Sequence, residues 1–570
     1  MTKLNVDHQY SLIDNIINEA SSYENFNDLE RLVDQAVNLK HLPVQPLYIA
    51  LKDLGAEQVG SSLALFDHTQ RRIFLDLDLW EKDEVDVNSF AFWIRAYASC
   101  NDDKIVSEFV NSEEFLLYLK SAFNIWTFDS EEPEYPDHDF YFLSEDQLLL
   151  FEYHKDYPFV DEIKNFLKVM YSEMGVENAY VNLFKVVSDG YLEFQEQEFQ
   201  LKKSRLEELG LVEYYDSLQT ENCFSNMQTL QNHIKNKKRF KTPEIDEVCK
   251  TQGLHSYTVA AFLGKLEEIT KELLKVREQK RKDFLQFNFI RLVNSRLSFR
   301  NALKEGRTAM MSATRELADL LLLGFDYLKK EGKLKDDTIL FEVFDFFDIY
   351  KIGHSLITLL QKDIKKSLRD HSLEELDQQA FLGYHLGEIL DALFDEPAKV
   401  PSFKLGEKNK AVFSLSQFVE LQLCCDRFLE LIPFAQKMRE LLNQLKREGK
   451  IQDEFYYNMR VEDIDFESLI LSSFALFVLA GRDKNFSLKL NQDHKLGLTI
   501  AEFKLFIKVA NPQRVNEDGD SFAKAYGLAP AIIVPYLKSI MSIHLDGHDW
   551  SAMSITDFKH VGGPIILVPL

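Results

Sequence analysis

The sequence is poor in turn-forming residues, with 22 glycines and 14 prolines in 570 positions. Sandwiches and barrels need turn signals every 8 to 12 residues or so, so this scarcity argues against an all-β plan and for helix. Positive charge is also in deficit: 66 Lys and Arg face 92 Asp and Glu, a formal charge of −26. Such a surface repels phosphate backbones, which argues against nucleic acid as the main ligand. Two basic stretches run against the trend, "HIKNKKRFK" (His233 to Lys241) and "KVREQKRK" (Lys275 to Lys282). The second is expected on a helix, with its charges forming a solvated face.

Cysteine is sparse. Cys100, Cys223, Cys249, Cys424 and Cys425 make an odd set without a Cys-x-x-Cys pair, so no disulfide framework is implied. The longest apolar run, Leu469 to Gly481 ("LILSSFALFVLAG"), is shorter than the roughly 20 residues that span a bilayer and reads as a buried helix. The opening "MTKLNVDHQY" has no apolar signal-peptide core. These absences lead to the expectation of a cytoplasmic chain with reduced thiols and no membrane span.

What the chain does hold is apolar bulk, at 45% of residues, with 45 phenylalanines among them. That is enough for three or four cores built from rings as much as from aliphatics. Residues before Trp126 read as short capped helices. Val59, Leu63 and Phe66 share one helical face. Asp67 with Gln70 forms a capping-box pattern before a helix that buries Ile73, Phe74 and Leu77. Asn88 and Asn111 are expected to cap the helices that follow. An acidic linker, "TFDSEEPEYPDHD", leads to "FYFLSEDQLLLFEY", the best candidate for a β-hairpin. Helices resume over Val160 to Met174, and Phe262, Leu266, Ile269, Leu273 and Val276 step by four and three like a bundle seam. Late in the chain come a capping box at Thr499 and Glu502 and a proline-bearing helix, "AIIVPYLKSIMSIHL". The apolar tail "GGPIILVPL" is expected to dock in a groove of this chain or of a partner.

The expected fold is therefore mainly α. A helical-repeat, solenoid-like domain spans 1–126, and a hairpin with helices spans 138–220. A helical bundle spans 221–398, and a helical domain with the docked tail spans 399–570.

The stretch "LGAEQVGSSLALFDHTQRRIFLDLDLW" resembles the helix–cap–helix unit of the cytoplasmic N-terminal domain of MgtE-type magnesium transporters. That likeness implies a helical repeat over roughly residues 40 to 125 and a divalent-cation-sensing role. A longer resemblance rests on "DLDLW", on "KKSRLEELGLVEYYDSL" (Lys202 to Leu218) and on "LSSFALFVLAG". Through these stretches the chain is similar to an uncharacterised bacterial family of domains of unknown function, a likeness that implies no activity.

Searches for known chemistry return nothing. There is no phosphate-binding G-x-x-x-x-G-K-[ST], no dinucleotide G-x-G-x-x-G, no H-E-x-x-H and no G-x-S-x-G. A calcium loop starting at Asp76 fails, with Glu81 at the glycine position and Val87 at the closing glutamate. Asp76 and Asp78 are read as the solvent-facing edge of a repeat, with a divalent-cation site as the sharper alternative. His544 and His548 in "HLDGHDW" are borderline zinc or iron ligands beside Asp546 and Asp549. His385, Glu388 and Asp391 share a helical face as metal-bundle ligands do, without a matching second set. Cys424 and Cys425 are expected to be core thiols. The leading expectation is a non-enzymatic interaction or regulatory scaffold that engages a protein partner and needs no cofactor. The alternatives are a metal-dependent enzyme using the His385 or His544 cluster, and a divalent-cation-sensing module.

Overall fold

The computed structural model describes residues 39–41, 44–52, 54–187, 191–208, 211–238, 242, 266–335, 338–403, 406–481, 497–510, 512–545, 548–550, 552–559 and 565–569. The class is mainly α, with small antiparallel strand pairings. The chain forms two compact units. One comprises residues 1–222, 236–318 and 334–351, and the other 223–235, 319–333 and 352–570.

In the first unit the capping box predicted at Asp67 is present. Gln70 N donates to Asp67 Oδ1 at 2.8 Å, and Asp67 N donates to Gln70 Oε1 at 2.9 Å. The helix it starts, His68–Asp78, buries Ile73, Phe74 and Leu75. Two later caps fall one or two residues from their expected places. Asp86, not Asn88, caps Val87–Ala98, and Ser112, not Asn111, caps Glu113–Ala122. Asn88 already lies in the first turn, so the extended Asp86 before it accepts from its N–H, and Asn111 instead ends the preceding helix. Gly60 lets Ala56–Ser62 lie against Val87–Ala98, since a Cβ there would sit 2.2 Å from the Ala96 carbonyl oxygen. Rings fill the core: Tyr97 stacks on Phe109 at 4.2 Å and Phe90 on Tyr118 at 4.5 Å.

The hairpin forms between Tyr141–Leu143 and Leu149–Tyr153, and Phe123–Thr127 joins it as a third strand on the other side of Leu149–Tyr153. Asp146 shapes the turn by accepting from Leu148 N, while Ser144 Oγ accepts from Leu149 N. Of the expected bundle seam, Leu266, Ile269, Leu273 and Val276 are buried, and Phe262 lies outside the described residues. The second basic stretch is not one helix. Glu267–Leu273 ends before it and Gln279–Phe299 starts within it. Arg281, expected on a solvated face, is buried and donates to the carbonyls of Phe341 and Phe344. Chain ends that lack helical partners need donors, and this guanidinium supplies them.

In the second unit, Phe466–Leu479 starts on an Asp465 capping box and is buried almost all round, as its apolar run demands. Thr499 and Glu502 cap Ile500–Val509 reciprocally. The Pro530–Leu545 helix carries Pro535 inside it. The apolar tail docks within its own unit. Leu567 pairs in parallel with Leu498, and Asn458 brackets the tail by bonding Ile565 O and Leu567 N. Gly497 is required there, because a Cβ would lie 2.4 Å from Ile566 O. Among the described residues no helix is long and apolar enough to cross a membrane.

Candidate functional site

The "DLDLW" turn is the surprise of the first unit. Both aspartates point inward: Asp76 is 1% exposed and Asp78 is 4% exposed. The expectation of a solvent-facing edge is therefore overturned, and Leu77 between them is only half-buried. Burial of a carboxylate requires donors, and each aspartate has its own set. Asp78 accepts from Tyr48 Oη at 2.9 Å, Lys52 Nζ at 2.9 Å and Trp93 Nε1 at 2.8 Å. Asp76 is held by Arg205, whose Nε and Nη2 donate to its two oxygens. The two carboxylates serve different partners.

Arg205 lies on Tyr191–Glu208, where Glu198, Lys202 and Arg205 are spaced by four and three and so share one helical face. Glu198 accepts from Arg205 Nη2 at 2.6 Å and from Arg72 Nη2 at 2.7 Å. Arg72 Nη1 also lies 3.0 Å from Glu114, which is fully buried. Among the described residues, Asp76, Glu114 and Glu198 form one set whose ligand-type oxygens converge within 4.8 Å. Two guanidiniums already occupy that convergence, so the donor set fits an ion-pair network better than a bound cation. Burial, aided by the negative charges of Asp76 and Glu198, raises the Glu114 carboxyl well above its usual range despite Arg72. A neutral Glu114 would leave two carboxylates matched to two guanidiniums.

A cavity of about 150 Å³ opens beside this network, walled by Leu77, Trp80, Leu206, Leu211, Val212 and Leu297. Its wall also carries charged and polar groups, Asp76, Glu81, Lys82, Lys202, Glu213, Asn294 and Lys304 among them. Lys202 is 5% exposed, with its ammonium 4.8 Å from the Trp80 ring centre and 5.1 Å from that of Phe199. Nζ donates to the Lys82 carbonyl at 3.3 Å. Burial pulls the Lys202 ammonium down to about 8, against the opposing pull of Glu213 and Asp76. Glu213 caps Tyr214–Thr220 through one oxygen, which accepts from Tyr215 N at 2.7 Å. Its Oε1 accepts no hydrogen bond among the described residues, and burial raises this carboxyl too. A part-apolar pocket with a buried lysine of lowered pKa and a carboxylate oxygen to spare has the marks of a small-molecule site. A wider cavity of about 550 Å³ is lined by Arg71, Arg72, Lys104, Glu108, Glu198 and Arg205, so the ion-pair network stands between two openings.

Among the described residues, those expected to bind metal in the second unit do not converge as a set of three ligands. His385 is fully buried, with Nδ1 3.1 Å from Ser539 Oγ and its ring stacked 3.8 Å from Phe403. Burial, with the charge of Arg427 and His544, lowers the His385 imidazole to about 3. Glu388 accepts from Asn409 Nδ2, and Asp391 is exposed. His544 Nε2 lies 2.7 Å from Glu467 Oε2, while His548 is exposed beside Trp550. Asp546 lies outside the described residues. Glu467, which no sequence pattern singles out, links the two clusters: it also accepts from His385 N at the start of Gly383–Phe394. Gly383, at φ 77°, makes room for it, since a Cβ would meet Glu467 Cγ at 2.6 Å. Cys424 and Cys425 are buried, and burial drives the Cys425 thiol up to about 12.

"DLDLW" and "KKSRLEELGLVEYYDSL", two of the stretches that carry the longer family resemblance, form facing walls of the small cavity through Asp76, Leu77, Trp80, Lys202, Leu206, Leu211, Val212, Glu213 and Tyr214. The model of the Family of unknown function DUF6178 matches residues 14–504, and the chain belongs to that family. No curated protein and no solved structure matches it.

Proposed function

We propose that the protein is a non-enzymatic regulatory scaffold, bacterial and cytoplasmic, whose first unit binds a small acid-bearing molecule and presents its helical surfaces to a protein partner. The observation that carries this reading is Lys202, a buried ammonium beside Trp80 in a cavity of mixed lining that also holds the spare oxygen of Glu213. Glu213 and Asp76 act on Lys202 without a direct ion pair among the described residues; a carboxylate ligand would supply one, and Glu213 would accept from a hydroxyl or amine on the same molecule. Roughly 150 Å³ is the space that holds a benzene-sized guest, so a ligand of about six to ten heavy atoms is implied. The short capped helices before Trp126 fit a repeat-like interaction surface. Thermal melts of the full chain at pH 7 against a panel of small mono- and dicarboxylates test the reading. A rise in Tm with at least one acid, absent in Lys202→Met, supports it. No rise with any of them, or a rise that survives Lys202→Met, overturns it.

A second reading is a divalent-cation-sensing module of the MgtE kind, favoured by the convergence of Asp76, Glu114 and Glu198. It requires a cation to compete with Arg72 and Arg205. Magnesium or manganese should then raise Tm, and Glu114→Gln should abolish the rise.

A further inference from the structure

The second unit contains a thiol–imidazole contact that the proposed ligand site does not use. Cys223 Sγ lies 3.3 Å from His354 Nδ1 and 3.4 Å from Thr358 Oγ1. His354 and Thr358 are four apart on Phe346–Asp370 and so share a face. Ser355, next to His354, accepts from Phe224 N at 3.0 Å and anchors the segment that carries the cysteine. Burial of Phe224, whose ring lies 4.9 Å from that of His233, fixes the segment further. Cys223, His354 and Thr358 are themselves half-buried, so a small reagent can reach the sulfur.

We propose that Cys223 and His354 form a thiolate–imidazolium pair, and that Cys223 is the peroxide-reactive thiol of this chain. The chemistry needs hydrogen peroxide and nothing else. The thiolate sulfur attacks one peroxide oxygen, an S–O bond forms and the O–O bond breaks. The departing hydroxide takes the proton carried by His354 and leaves as water. Sulfur takes the attacked HO group and is oxidised by two electrons to a sulfenic acid, and the peroxide is reduced by two. The surroundings support the ionised form: burial alone would raise the thiol, yet hydrogen bonding and charge from His354, with help from Thr358 and Ser355, leave it below its ordinary value. The other described cysteines lie on the opposite side. Burial raises the thiols of Cys100, Cys424 and Cys425.

The test uses the reduced full chain, sub-stoichiometric hydrogen peroxide with dimedone, and peptide mass spectrometry. Cys223 should carry about tenfold more adduct than any other cysteine, and iodoacetamide should alkylate it with a midpoint below the usual 8.5 or so. His354→Gln should slow alkylation at pH 7 about tenfold and leave the rate at pH 10 unchanged, which separates lost activation from lost folding. Labelling of Cys223 no greater than that of Cys100, or a His354→Gln rate equal to the parent's at pH 7, would overturn the pair. If His354→Gln does not fold, the unmodified chain decides alone: an alkylation midpoint at or above about 8.5 refutes the proposal and a lower one upholds it.

Discussion

Arg205 holds Asp76 through two parallel hydrogen bonds of 2.9 and 2.8 Å, joining residues 129 apart in the chain. The aspartate side chain is wholly buried, and the arginine side chain keeps 27% of its surface in water. Arg205→Met removes the cation and leaves a buried carboxylate with no donor. That change should lower stability by about 3–5 kcal/mol, the usual cost of orphaning a buried charge. Asp76→Asn leaves Arg205 its bond to Glu198 and its solvent contact, so about half that loss is expected. Urea denaturation of the full chain, with a double-mutant cycle, measures both. A coupling below about 0.5 kcal/mol would put the pair among surface-like contacts instead.

Lys202 makes stability depend on pH in the alkaline range. Its ammonium falls from the ordinary 10.5 to about 8, so between these values the unfolded chain binds the proton and the folded chain does not. Stability should therefore rise with pH from 8 to 10.5, by up to about 3 kcal/mol. Lys202→Met should remove this slope and raise stability at pH 7 by about 1–3 kcal/mol, since a buried charge is exchanged for an apolar chain of similar length. Denaturation midpoints of both proteins at pH 7, 9 and 10.5 check the difference.

His385 acts at the acid end. Its imidazole is lowered to about 3 by burial, so below about 6.5 the unfolded state takes up a proton that the folded state refuses. Stability should fall as pH drops through this window, by about 2 kcal/mol at pH 5. His385→Phe keeps a ring against Phe403 and has nothing to protonate. Its acid limb between pH 6.5 and 4 should be flatter than the parent's, and equal slopes would remove His385 as the cause.

Gly497 holds the tail in register. An alanine there meets the Ile566 carbonyl oxygen at 2.4 Å, so the backbone has to separate. Gly497→Ala should cost about 1–3 kcal/mol. Hydrogen exchange should quicken at the amides of Leu498 and Val568, which bond Ile566 O and Leu498 O in the parent. Unchanged exchange at both would show that the strands accommodate a methyl group.

The sequence is legible where the physics is local. The capping boxes at Asp67 and Thr499, the helix Val160–Met174 and the hairpin turn at Asp146 all depend on residues within a few positions of each other. The charged site was not legible for the opposite reason. Glu198, Lys202 and Arg205 fall on one helical face, a pattern that normally marks a solvated stripe. Their burial is decided by Asp76, Trp80 and Glu114, more than 80 residues away, and nothing near residue 200 announces it. The same holds for Cys223 and His354, separated by 131 positions. The pull of an unpaired carboxylate inside a core is strong, but it leaves no trace in periodicity.

The ion-pair network also sets where the chain can be cut. Asp76 and Glu114 lie among the short helices before Trp126, while Arg205 and Glu198 come from Tyr191–Glu208. A fragment ending at residue 126 would keep two inward-facing acids with Arg72 alone to answer them, and would lose the wall that carries Lys202. It should be a poor folder by itself. The addition of the rest of its unit, residues 127–222 with 236–318 and 334–351, in cis or as a separately expressed piece, should rescue it. The early helices are thus one half of a fragment-complementation pair, and a splitting experiment designed on helix boundaries alone would cut through the middle of a charge balance.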